Sequence, residues 1–150
     1  MSSEEKELLS KQEYEKIGKL LLDLVKGCPH IPDKVPVQYQ SIGTGESIGI
    51  YTLPGAKYLK RNVIGGFTAQ IKFQIAYRSF PTSNDQRINN QDRVDKIMGW
   101  LQEYGTMKML SGGRTITKIT ASNSLPYKDK AGDDKNIIFA ADAVMEYEKD

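Results

Sequence analysis

Reactive side chains are scarce in this chain of 150 residues, which has one cysteine, Cys28, and one histidine, His30. A single cysteine forms no internal disulfide, and one Cys with one His cannot fill the four-ligand shell of a structural zinc. Cys28 is read as the end of an apolar helix stripe, where free cysteine packs as a small hydrophobe, and His30 as part of the Pro-flanked turn that follows. Two residues apart in such a turn, they make a poor nucleophile–base pair, with no third group to orient the base. Phosphate loops are missing as well. Gly43-Thr44-Gly45 and Ser111-Gly112-Gly113-Arg114 lack the Gly-Lys-Ser/Thr ending and do not lead from a strand into a helix, so both read as hairpin turns. The acids Asp129, Asp133 and Asp134 around Gly132 fail the alternating oxygen pattern of a calcium loop. The expectation is no catalytic residue, no metal and no cofactor.

Long apolar runs are also lacking. None approaches the roughly 20 residues that cross a bilayer, which predicts no membrane partner. Met1-Ser2-Ser3-Glu4-Glu5-Lys6 has neither the basic start nor the apolar centre of a secretory signal, and no Asn-x-Ser/Thr sequon occurs. These absences predict a protein that stays in the reducing compartment where it is made. What is present is enough apolar material for a core, 39% hydrophobic against 27% charged residues. A single domain spanning 1–150 follows, because two cores from this chain would each be too small.

Net charge is +2, from 21 basic and 19 acidic residues, and its distribution matters more than its size. From Ser47 to Asn84 there is no acid, while Lys57, Lys60, Arg61, Lys72 and Arg78 are basic. From Asp129 to Asp150 acids dominate, among them Asp142, Glu146 and Glu148. A basic middle and an acidic end predict subunits that meet head to tail, with the basic face of 57–78 on one against the acidic face of 142–148 on the next. The alternative is a nucleic-acid-binding domain that uses the basic segment 57–78, whose cations mix with Tyr58 and Phe67 as in single-strand platforms. Against it, Phe67, Phe73 and Tyr77 share a strand face with Ile71 and Ile75, which assigns them to the core.

Periodicity sets out the elements. Residues 3–26 read as a helix whose stripe is Tyr14, Ile17, Leu21, Leu24 and Cys28, with acidic Glu4, Glu5 and Glu7 in its first turn and Gly27, Pro29 and Pro32 stopping it. Residues 35–42 and 47–53 read as a β-hairpin, and 57–61 as an edge strand before the Gly65-Gly66 break. Strict alternation from Phe67 to Arg78 predicts a long half-buried strand. Ser83 and Gln86 have the form of a capping box for a helix over 84–104, with stripe Val94, Ile97, Met98, Leu101 and Tyr104 and with Gly105 as its cap. Strands at 114–122 and 136–147 then flank a polar loop at 123–135. The core spans 35–148 in an α+β fold, a mainly antiparallel sheet with two helices packed on one face.

Over Gly65-Gly66-Phe67-Thr68-Ala69-Gln70-Ile71-Lys72-Phe73-Gln74-Ile75-Ala76-Tyr77-Arg78-Ser79, then Pro81 to Gln91 and the helix Asp95-Lys96-Ile97-Met98-Gly99-Trp100-Leu101, the chain resembles the small minor capsid proteins of tailed phages and prophages of Gram-positive bacteria. It is similar in size and element order to tail-terminator and head–tail joining proteins. The resemblance implies a virion structural protein with a tail-terminator-like fold. It further implies a homo-oligomeric ring, often hexameric, where the tail tube meets the head connector. DNA would pass through the lumen unread, with no cofactor and no catalytic residue.

Overall fold

A computed structural model describes residues 7–128 and 137–150. Its centre is a pair of 13-residue antiparallel strands, β4 (Phe67–Ser79) and β8 (Ile137–Lys149), in register along their whole length from Phe67–Lys149 to Ser79–Ile137. Each outer edge of this ladder is covered by two short strands placed end to end. β2 (Ser47–Thr52) and β3 (Lys57–Arg61) pair with β4, while β6 (Arg114–Ala121) and β7 (Leu125–Lys128) pair with β8. β1 (Val37–Tyr39) extends the sheet beside β2, and β5 (Met109–Leu110) extends it beside β6.

The alternation of β4 and β8 determines which face is inside. Ala69, Ile71, Phe73, Ile75 and Tyr77 are buried, as are Phe139, Ala141, Ala143, Met145 and Tyr147. Two helices cover this face. α1 (Lys11–Lys26) contributes Ile17, Leu21 and Val25, and α2 (Asn84–Trp100) contributes Val94, Ile97 and Met98, all in one core cluster with the strands. The fold is α+β with a mainly antiparallel sheet and both helices on one face, as the periodicity predicts. Cys28 is buried at the end of α1, where burial raises its thiol pKa.

Five local expectations are corrected. α1 begins at Lys11 rather than residue 3, because Ser10 caps it by accepting from the Glu13 N–H at 3.2 Å. The preceding residues run alongside β3 instead, with Leu9 N donating to Ala56 O and Tyr58 N donating to Glu7 O. Residues 37–39 and 47–52 are parallel, not a hairpin. The segment between them folds back across β2 at Gly49, where an added Cβ would lie 2.5 Å from Ser41 O, so only glycine admits the crossing. The capping box is shifted by one residue: Ser83 accepts from Gln86 N, but the Gln86 side chain accepts from Thr82. α2 ends in a π-helical turn, Leu101–Gly105, which keeps Leu101 buried and carries Tyr104 out of the predicted stripe to stack on Trp100 at 4.8 Å. Finally, part of the predicted loop is strand β7, while Asp129, Asp133 and Asp134 lie outside the described residues.

Candidate functional site

The outward side chains of the sheet stand in cross-strand rows fixed by the register. From β3 through β4 and β8 to β6, one row is Lys60, Thr68, Glu148 and Thr115, and the next is Lys57, Gln70, Glu146 and Lys118. Lys72 and Val144 follow, then Tyr51, Gln74 and Asp142, then Gly49, Ala76 and Ala140, then Ser47, Arg78 and Ile138. Gln74 Nε2 donates to Asp142 Oδ1 at 3.0 Å.

Segregation of charge along the sequence therefore does not become segregation in space. Lys57, Lys60, Lys72 and Arg78 lie on the same outer face as Asp142, Glu146 and Glu148, because β4 and β8 are neighbours in the sheet although far apart in the chain. The expectation of one basic face and one separate acidic face is corrected to a single face with interleaved signs. Arg61 is the exception. It registers with Phe67 at the edge, pairs with Glu7 at 2.9 Å, and lies over the Tyr58 ring at 4.5 Å. Carboxylates within the rows also oppose a nucleic-acid backbone, since phosphates following Lys57 and Lys72 would pass Glu146.

Two apolar features interrupt this polar face. At one end, the β3–β4 turn Asn62–Gly66 exposes Val63 fully and Ile64 to 92%. The turn is built rather than loose: Asn62 N donates to Gly66 O at 2.8 Å, and Gly65 adopts φ +100°. Toward the other end, Ile42, Tyr51, Ala76, Ile138 and Ala140 line a shallow hollow of about 340 Å³ with Gln74 at its margin. Ile42 reaches it through the crossing over Gly49. The neighbouring sequence shows the tip as two β-branched residues inside an Asn/Gly turn, but the hollow depends on long-range register and leaves no local signal.

A third cluster lies beneath the inner face and escaped sequence reasoning. Arg114 Nε and Nη2 donate to Glu13 Oε2 and Oε1 at 2.9 and 2.6 Å, and Tyr147 Oη donates to Glu13 Oε2 at 2.8 Å. All three side chains are buried. Burial alone pushes the Glu13 carboxyl up, but the hydrogen bonds from Arg114 and Tyr147 and the charges of Arg114 and Lys149 outweigh it, leaving the pKa below the ordinary glutamate value. The bond to Glu13 raises Arg114, and burial followed by that same carboxylate raises Tyr147. The signal was present in the spacing, because Glu13 falls on the Ile17–Leu21 face of α1. With every partner satisfied, the cluster clamps α1 to β6 and β8 and is not a reactive site.

His30 is exposed and lines a polar recess with Asn89, Asp92, Arg93 and Lys96. Among the described residues no three His, Cys, Asp or Glu side chains come together as a metal site, and no helix is long and apolar enough to cross a membrane.

The class these elements define is an α+β domain with one helix-covered face and one open face. No family model matches the chain, and no curated protein matches it. Sixteen solved chains do match. One of them, which bears only a sequence identifier for a name, is 17% identical, covers 93% of this chain and 96% of its own, and superposes with a TM-score of 0.47. A likeness of that degree carries no argument about function.

Proposed function

We propose that the chain is a phage virion structural protein, a tail terminator or head–tail joining minor capsid protein that forms a ring at the end of the tail tube. The observation that carries this reading is the open outer face of the β4–β8 ladder, whose rows place opposite charges side by side among short polar side chains. Such a face suits repeated protein contact better than chemistry, and the segment that resembles phage proteins, 65–101, builds β4 and α2 beneath it. Partners under this reading are further copies of the chain, the tail tube and the head connector, with DNA passing unread through the lumen.

Interleaved signs sharpen how copies would meet. Lys57, Lys60 and Arg61 at the β3 edge of one subunit face Asp142, Glu146 and Glu148 of the next, while Lys72, opposite Val144, stands in the row between those of Glu146 and Asp142, and Arg78 stands opposite Ile138. Purified protein at high concentration, alone and with tail tubes, is to be followed by sedimentation and electron microscopy. Rings on tube ends that are lost in Lys57→Glu/Lys60→Glu and restored by Glu146→Lys/Glu148→Lys support the reading. Wild type that neither assembles nor attaches to tubes overturns it.

A further inference from the structure

We infer that Glu7–Ser10 is a releasable strap, which closes the outer edge of β3 and opens as a unit, hinged at Ser10, while α1 and the sheet stay folded. The inference concerns the single subunit and stands apart from the ring reading. The strap lies antiparallel to β3 through the Leu8–Lys57 bridge, with Leu9 N donating to Ala56 O at 3.1 Å and Tyr58 N donating to Glu7 O at 2.8 Å. Of its four side chains only Leu9 is buried, in the core cluster that includes Ala56 and Tyr58. Leu8 points to water, and Glu7 meets Arg61 in an ion pair whose two side chains are more than half exposed. Ser10 N reaches Tyr58 Oη only at 3.4 Å.

Attachment changes abruptly after Ser10. Glu13 is held by Arg114 and Tyr147, and Ile17, Leu21 and Val25 are completely buried. Resistance to local opening follows buried apolar contact and internal hydrogen bonds, so the chain has a step in stability between the strap and the clamp. The start of α1 does not need the strap. Ser10 accepts from Glu13 N through its side chain and from Tyr14 N through its carbonyl, and neither bond involves residues 7–9. In the closed form the strap has a protective role. Without it the Ala56 carbonyl and the Tyr58 N–H would stand unpaired on a strand edge, which is a template for pairing with other chains. The Glu7–Arg61 pair adds a dependence on ionic strength, because salt screens exposed charges far more than buried ones such as Glu13 and Arg114.

The test is native-state amide hydrogen exchange on the dilute full-length protein, across a series of low urea concentrations and at about 0.05 M and about 0.5 M salt. In wild type the Leu9 and Tyr58 amides should exchange together, about a hundredfold or more faster than Leu21 in α1 and Ile75 in β4, and with little dependence on urea. Higher salt should speed the Leu9 and Tyr58 amides about twofold, and Glu7→Gln should produce the same gain at low salt and abolish the salt response. Leu9→Asp should release the strap outright, removing protection at Tyr58 while Leu21 and Ile75 stay protected. Three results overturn the inference. The first is Leu9 and Tyr58 exchanging at the rate of Ile75, which makes the strap part of the global unit. The second is Leu21 opening with the strap, in wild type or in Leu9→Asp, which means that α1 leaves with it. The third is a salt response that persists in Glu7→Gln. None of these results bears on whether copies form rings, which sedimentation with tail tubes decides separately.

Discussion

The two faces of the sheet use the same charged residue types in opposite ways. On the inner face Glu13 and Arg114 are buried and meet in a two-pronged ion pair completed by Tyr147. On the outer face Lys72, Asp142 and Glu148 stay exposed, Lys72 opposite Val144, Asp142 opposite Gln74 and Glu148 between Thr68 and Thr115. A charge taken from water must be fully partnered, so the inner cluster fixes one arrangement of α1 on the sheet. Charges left in water are individually weak and leave the outer surface available. Position, not residue type, separates clamp from contact surface.

Breaking the inner side should have the largest effect. Phe73→Ala, at the centre of the core face, is expected to destabilise by about 3–5 kcal/mol, and Leu101→Ala by about 2–5 kcal/mol, both read from urea unfolding. Arg114→Ala leaves a buried carboxylate alone and should cost about 3–5 kcal/mol, whereas Glu13→Leu with Arg114→Met should restore most of it. A double-mutant cycle checks that recovery.

Acid should separate the faces next. Glu13 has a folded pKa below its unfolded one, so its contribution is complete above the unfolded value of about 4.3 and is lost as pH falls through the lower folded value. Unfolding free energy measured from pH 6 down to pH 2 should therefore fall more steeply in wild type than in Glu13→Gln. Equal slopes would mean that the carboxylates of the outer face govern acid sensitivity. The smallest effect belongs to Lys72→Ala, expected within about 0.5 kcal/mol because the side chain points to water. A large loss there, with Phe73→Ala harmless, would reverse the assignment of faces.

Much of this contrast was legible in the chain. Alternation over 67–78 and 136–147 marked inside from outside correctly, because a strand with one buried face must repeat every two residues. Other features depended on partners distant in sequence. The 35–53 hairpin became a parallel pair because the chain crosses over Gly49, which no local propensity encodes. Glu7 imitates a helix start, yet Leu8 and Leu9 run along β3 and Ser10 supplies the cap. Pro126 argued for a loop, although an edge strand tolerates it in β7. Of the charged residues expected to make a subunit contact, all but Arg61 lie on the outer face, but the expected division into two faces failed because β4 and β8 are neighbours only after folding.

The β4–β8 ladder has one more consequence, for how the chain is made. β4 gains β2 and β3 from residues already synthesised, but its other edge needs β8, and residues 80 to 136, 57 in number, separate the two strands. At about 5–20 residues per second on the ribosome, that edge stays open for several seconds with Ile71, Phe73 and Ile75 beside it. A nascent chain in this state offers a long unpaired strand to any neighbour, and chains translated close together from one message are the nearest neighbours available. Yield of native protein should therefore depend on synthesis rate and chaperone supply more strongly than the equilibrium stability of the finished domain would suggest.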